Sequence, residues 1–187
     1  SLASTMYAIS KLGRIENYMK TQICLQLDEP VLFADGMSFG EVGPYQLVSG
    51  RLHFAVDPGA PAYLDVIDLE HAPRNSSGLV EYSTNLAILR PVNLLRSNGR
   101  LIYDVNNRGN KTVLRHMNDA PGSNVPHTVT DAGNGFLMRR GYSIVWSGWQ
   151  GDLLAGEGRL TMDLPIATSY GREITGLVRS EFVSDES

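Results

Sequence analysis

The chain has 187 residues, 42% hydrophobic and 19% charged, with a formal net charge of −4 and a pI near 5.5. That is length for one ordinary domain with a real core, and too apolar a composition for a disordered chain. The acidic balance, with no Lys/Arg run, argues against a nucleic-acid or anionic-membrane surface. The single Cys24 excludes an intrachain disulfide and a cysteine metal cluster, and no run of about 18 apolar residues suggests a membrane span. No secretory signal is visible, so the cytoplasm is the default compartment. The sequence begins at Ser1, which leaves a longer precursor open.

Residues 6–20, "MYAISKLGRIENYMK", place Leu12, Ile15 and Met19 at helical spacing, and "TQICLQL" then alternates Ile23, Leu25 and Leu27 at strand period. A formal G-x-S-x-G follows at Gly36-Met37-Ser38-Phe39-Gly40. A serine nucleophile in such a turn needs a buried strand before it and a helix after it. Here Gly43-Pro44 would break a helix within one turn, so Ser38 is read as a decoy in a structural loop.

In "GRLHFAVDPG", Leu52, Phe54 and Val56 share one face, and Asp57-Pro58-Gly59 makes a turn. "YLDVIDLE" is predicted to return as the second strand of a hairpin. After the polar turn in "APRNSSG", Val80, Tyr82, Leu86 and Ile88 mark one side of a further strand. "RLIYDVNNRG" carries Leu101, Ile102, Tyr103 and Val105 almost without alternation, the pattern of a strand buried on both faces. A polar loop is predicted from Asn106 to about Pro126. A short helix follows in "DAGNGFLMRRG", capped by Asp131 and stopped by Gly141, and then a second buried strand, "YSIVWSG". Strand, loop, helix, strand implies a parallel pair. Beyond "WQGD", Leu160, Met162, Leu164 and Ile166 share one face, Ile174, Val178 and Phe182 line another, and a hairpin is predicted around "ATSYGRE".

His53, His71, His116 and His127 are scattered without metal-ligand spacing, and no phosphate-binding glycine motif follows a strand. No metal or cofactor is therefore expected. Tyr142, Trp146 and Trp149 read as core and edge packing. The informative segment is "YDVNNRGNK", where a strand ends abruptly in Asn106, Asn107, Arg108 and Gly109. Open α/β sheets collect ligands beyond the carboxyl ends of their strands. Asn107, Arg108 and Gly109 are therefore the candidate substrate or oxyanion loop, against the alternative of a loop pinned by its own side chains.

The run "GLVEY…LLRSNGRLIYDVNNRGNKTVLRHMNDAPGSN…DAGNGFLMRRGYSIVWSGWQGD", with "SFGEVGPYQLVSGRLHFAVDP" and "VIDLEHAPRN", resembles the opening of a family of large, mostly uncharacterised α/β-hydrolase-domain proteins over roughly residues 30–187. The resemblance implies a β-rich α/β fold: antiparallel lead-in strands followed by the first βαβ part of a hydrolase-like sheet, incomplete in this chain. It divides the chain into an N-terminal helix and strand extension (1–29), the first part of the core (30–155) and the start of a β insertion (156–187). It implies that "RLIYDVNNRG" is the strand whose following loop gives an oxyanion-hole N–H, with "NNRG" standing where a histidine-glycine signature is usual. It further implies a carboxylic-ester hydrolase whose nucleophile, acid and histidine lie outside this chain, acting on a small ester-like substrate. The competing readings are a non-catalytic, truncated homologue serving as a binding or assembly module, and a self-contained hydrolase using Ser38 with a distant histidine. With the nucleophile strand missing, residues 142–147 would expose an unpaired edge, to be covered by further polypeptide or self-association.

Overall fold

The computed structural model describes residues 21–177 and 179. Nine strands appear in chain order: β1 (Gln22–Leu27), β2 (Val31–Leu32), β3 (Tyr45–Val56), β4 (Val80–Pro91), β5 (Leu101–Tyr103), β6 (Ser143–Ser147), β7 (Met162–Asp163), β8 (Thr168–Ser169) and β9 (Arg172–Glu173). Among the described residues the two α-helices are short: α1 (Val113–Asn118) and α2 (Phe136–Arg139). Seven strands form one mixed sheet in the order β1-β3-β4-β6-β5, with β2 beside β3 and β7 beside β4. All pairings are antiparallel except β5 with β6, which run parallel. The molecule is thus a β-rich α/β protein. The parallel pair anticipated around the helix is present, and β8 and β9 form the hairpin anticipated around "ATSYGRE".

The sheet is built on a long hairpin. β3 and β4 pair over twelve residues each, from Tyr45 opposite Pro91 to Val56 opposite Val80. Gly43-Pro44 and the Asp57 turn bound β3, with the Asp57 carboxylate accepting from the Gly59 N–H at 3.0 Å. Phe54 and Tyr82, directly opposite, stack with ring centroids 4.7 Å apart.

Odd-numbered residues of β3 and β4 share one face, and this face carries the main core. Tyr45, Ala87 and Leu89 pack there with Ile144 and Trp146 of β6, Val113 and Leu114 of α1, and Leu137 and Met138 of α2. The buried Tyr45 hydroxyl donates to the carbonyls of Met138 and Tyr142, at 3.1 and 3.0 Å, and so ties α2 to the sheet. Burial pushes that phenol above its ordinary range. On the opposite face, at the far end of the hairpin, Val56 and Val80 pack with Ala72, Leu69, Tyr63 and Tyr82 under the loop of residues 57–79.

Several expectations are corrected. "YLDVIDLE" is no strand: residues 61–63 and 69–71 are 3₁₀ turns, and Leu64, Val66 and Ile67 are exposed. Its alternation lost to the twelve-residue match of Val80–Pro91, which satisfies far more of the β3 backbone. β5 is not buried on both faces. Leu101 is 62% and Tyr103 49% exposed, because β5 is the last strand and the even-residue face is uncovered there. β6 exposes no edge, being flanked by β4 and β5; among the described residues the main path of the sheet ends at β5 on this side and at β1 on the other. The Asn106–Pro126 loop contains α1, and the helix starting at Asp131 is broken. Asp131 instead closes a 3₁₀ turn at Thr130–Ala132, and α2 begins after Gly135. Gly141, at φ 74°, does end the helical stretch.

β1 belongs to the main sheet rather than to an extension, and Leu160 and β7 return to it from the segment read as an insertion. Leu160 is buried while Leu164 and Ile166 are exposed, so that apolar face is only partly used. The helix expected over residues 6–20 and the positions Val178 and Phe182 lie outside the described residues.

Candidate functional site

β5 and β6 run parallel, so the loops leaving their carboxyl ends are neighbours, and residues 104–112 and 147–152 meet there. Asp104 organises the junction. Its carboxylate accepts from the backbone N–H groups of Thr112 and Val113, both at 2.9 Å, from the Thr112 hydroxyl at 3.1 Å and from the Trp146 indole N–H at 2.7 Å. The first turn of α1 is therefore capped from β5, and the buried indole of β6 has its one donor satisfied.

Asn106, fully buried, pins the loop from within. Its amide donates to the Ser147 carbonyl at 2.5 Å and its Oδ1 accepts from the Gly109 N–H at 3.0 Å. The Asn106 carbonyl accepts from the Trp149 indole at 2.9 Å. Trp146 is thus core, and the half-exposed Trp149 is a brace for this loop.

Of the three candidate residues, Asn107 and Gly109 have their backbone donors in use. Asn107 exchanges N–H···O bonds with Asn110 at 3.2 and 3.0 Å, and the Gly109 N–H is held by Asn106. Gly109 sits at φ 80°, and a Cβ there would lie 2.8 Å from the Leu160 carbonyl oxygen. Glycine is required by that approach, which carries a bond from the Leu160 N–H to the Gly109 carbonyl at 3.0 Å. Arg108 differs from both. Its φ is 47°, left-handed for a residue with a side chain, and its backbone N–H has no hydrogen-bond partner among the described residues. Its exposed guanidinium lies 3.4 Å from Asp152 in the loop after β6, an ion pair worth little in such solvent.

Beside this loop, on the main-core face, lies a cavity of about 460 Å³ lined by residues of β3 and β4, by Lys111 and Asn124, and by residues 158–160. Lys111 is largely buried. Its ammonium donates to the Asn124 carbonyl and sits 5.9 Å from the Trp146 ring centroid. Desolvation pushes its pKa down to about 8, and no carboxylate pairs with it among the described residues. Lys111, Asp104 and Arg159 did not stand out from the sequence. The only signal was a lone lysine inside "NNRGNK", 91 residues from the previous one at Lys20.

The Lys111 shift has a stability consequence. The unfolded chain keeps this proton up to the ordinary lysine range, whereas the folded chain loses it near pH 8. Below that value both states are protonated and the burial penalty is fully present; stability then rises as pH goes from about 8 toward 10. Lys111→Met removes this contribution. Denaturant titrations at pH 7 to 10 are expected to show wild type gaining about 2–3 kcal/mol on the variant across that interval. A constant difference would place the ammonium in water.

Ser38 is exposed between the 3₁₀ turns Ala34–Gly36 and Gly40–Val42, and its hydroxyl makes no hydrogen bond among the described residues. The glycines of a nucleophile elbow make room for adjacent strand and helix. Around Gly40 a Cβ would meet nothing within 4 Å, and at Gly36 only a leucine methyl of Leu32 at 3.5 Å. The spelling G-x-S-x-G therefore occurs without the crowding that gives it meaning. His71, His116 and His127 are exposed and His53 is half-buried on β3. Among the described residues no three His, Cys, Asp or Glu side chains gather as a metal site, and no helix is long and apolar enough to cross a membrane. No protein-family model, no curated protein and no solved structure matches this chain.

Proposed function

We propose that this chain is the N-terminal part of a serine hydrolase of the α/β-hydrolase type that acts on carboxylic esters. In this reading it contributes part of the sheet and one oxyanion donor, while the nucleophile, acid and histidine are carried by polypeptide beyond this sequence. One observation carries the reading: the Arg108 N–H has no partner among the described residues and sits in a left-handed conformation, in the loop after a strand of a parallel pair. Backbone held in so sparse a region persists where its surroundings over-determine it, and Asn106, Gly109 and Trp149 supply that constraint. A carbonyl oxygen that becomes an oxyanion needs such a preorganised donor. The open edge of β5 agrees with this, since it can accept the further strand that would bear the serine. Against it stands the internal use of the Asn107 and Gly109 donors, which favours a non-catalytic binding or assembly module.

A fluorophosphonate reagent, with mass spectrometry to find any adduct, tests the reading. The 187-residue chain is expected to stay unlabelled. The product of the full reading frame is expected to label at a serine beyond residue 187. In that longer protein, replacing the Arg108 amide by an ester, which deletes the N–H and weakens the Asn107 carbonyl as an acceptor for Asn110, should lower kcat about 10²- to 10³-fold with little change in KM. Stoichiometric labelling of Ser38, abolished by Ser38→Ala, would overturn the reading. So would an unchanged kcat in the ester-substituted protein.

A further inference from the structure

Residues directly opposite on paired strands point to the same face of a sheet. The even-residue face of β3 and β4 therefore carries apolar rows. Ile23, Phe54 and Tyr82 stand in line across β1, β3 and β4, with Leu25 and Leu52 beside them. Val48 and Leu86 occupy the middle of the same face. Among the described residues both helices pack on the other face, and the cluster on this one lies at its end, beneath residues 57–79. Val48 and Leu86 are nevertheless 2% and 6% exposed, and neither belongs to either cluster. A side chain standing on a sheet is screened by its neighbours at its flanks but not at its tip. Burial this complete calls for a further element lying over β3 and β4.

The point where the chain enters the sheet indicates which element. The Thr21 and Tyr63 hydroxyls are hydrogen-bonded at 2.8 Å, and Tyr63 belongs to the cluster on this face. The chain thus enters β1 from the side that needs cover. In the segment before it, Ala8, Leu12, Ile15 and Met19 recur at i, i+4, i+7 and i+11, one stripe of a helix, and Ser10 and Asn17 fall on the opposite side. We propose that residues 8–19 form an amphipathic helix over the even-residue face of β3 and β4, its Leu12–Ile15–Met19 stripe set against Leu52, Val48 and Leu86. Such a helix is about 18 Å long, enough to cross β1, β3, β4 and β6 at about 4.8 Å per strand spacing. Because the segment is joined directly to β1, its docking is intramolecular, and the high effective concentration favours it over a second copy of the chain. This inference stands apart from the hydrolase reading, because it needs neither a nucleophile nor the Arg108 N–H.

Hydrogen exchange read by mass spectrometry tests the proposal on the unaltered chain. A free helix of this length is marginal in water, so the amides of residues 12–19 are expected to exchange at least about tenfold slower in the chain than in a synthetic peptide of residues 1–20. Photo-leucine incorporated in place of leucine is expected, on irradiation, to link position 12 to β3 or β4 of the same chain. Mixing heavy and light isotope-labelled chains separates such links from links between copies. Ile15→Glu should remove both the protection and the links, whereas Asn17→Glu, on the far side of the stripe, should retain them. Equal exchange in chain and peptide would mean that the segment lies in water. Links to α1, α2 or the odd-residue face would seat it elsewhere, and links mainly between chains would make a second copy the cover. Equal effects of the two substitutions would remove the stripe from the contact; each of these results overturns the proposal. Because exchange and linking use the unaltered order of residues, they decide the question even if Ile15→Glu fails to fold.

Discussion

Asp104→Ala is expected to cost the fold about 2–4 kcal/mol. The carboxylate caps two backbone N–H groups and the hydroxyl at the start of α1, a role worth about 1 kcal/mol. It is also the acceptor for the indole of Trp146, a fully buried side chain, and leaving that donor orphaned adds about 1–3 kcal/mol. Urea denaturation of Asp104→Ala, Trp146→Phe and the double variant separates the two parts. Once Trp146 is phenylalanine no indole donor is left to orphan, so Asp104→Ala should then cost at least about 1 kcal/mol less. Strict additivity would show that the Asp104–Trp146 bond carries no stability and that the aspartate acts through the α1 cap alone.

The second large effect is expected at Gly133. This residue has φ 54°, and a Cβ on it would lie 2.1 Å from the Asn118 carbonyl oxygen and 2.8 Å from the Ala120 nitrogen, both backbone atoms. The same carbonyl accepts from the Asn134 N–H at 2.7 Å. The Asn118 side chain, fully buried, bonds Ala132 and Leu137 at 3.0 and 3.2 Å. An added methyl must therefore part α1 from the turn that leads into α2. At φ 54° and ψ −131° a residue with a Cβ is strained by about 1–3 kcal/mol, and overpacking of about 1–3 kcal/mol brings the expected loss to roughly 2–6 kcal/mol for Gly133→Ala. Gly40, at φ 58° with open space around it, supplies the control. Gly40→Ala should lose only the conformational part, about 1–2 kcal/mol. Thermal or urea melts giving the two variants similar losses would remove the close approach from the account of the α1–α2 junction.

Adjacent residues specify local features only. The period-two patterns of "RLHFAV" and "LVEYSTNLAIL" correctly mark β3 and β4 and the residues that share a face, because the alternation of side chains is a property of the strand itself. The βαβ order and its parallel pair were legible from apolar runs separated by a glycine-stopped helix, and the tight turn at Tyr170-Gly171 from its glycine. The abrupt polar ending of "YDVNNRG" marks the candidate loop, and Gly43-Pro44 argues against a strand–turn–helix elbow at Ser38.

Tertiary structure alone decided which elements are neighbours and which faces are covered. "YLDVIDLE" has strand periodicity but became two 3₁₀ turns, because β3 can be paired along its length only once and Val80–Pro91 matches all twelve residues. The same apolar density in "RLIYDV" and "YSIVWS" gave an exposed last strand in one case and a strand flanked on both sides in the other, a difference set by sheet order. Within the loop, Asn107, Arg108 and Gly109 were equal candidates by composition. Only the folded chain shows that two of their N–H groups are already bonded and one is not. The Lys111 ammonium meets the Asn124 carbonyl and the Asn124 amide meets the Glu157 carbonyl, contacts that no local pattern marks because they join residues far apart in the chain. Periodicity is written in adjacent residues, whereas coverage, edges and hydrogen-bond saturation depend on contacts between residues far apart in the chain.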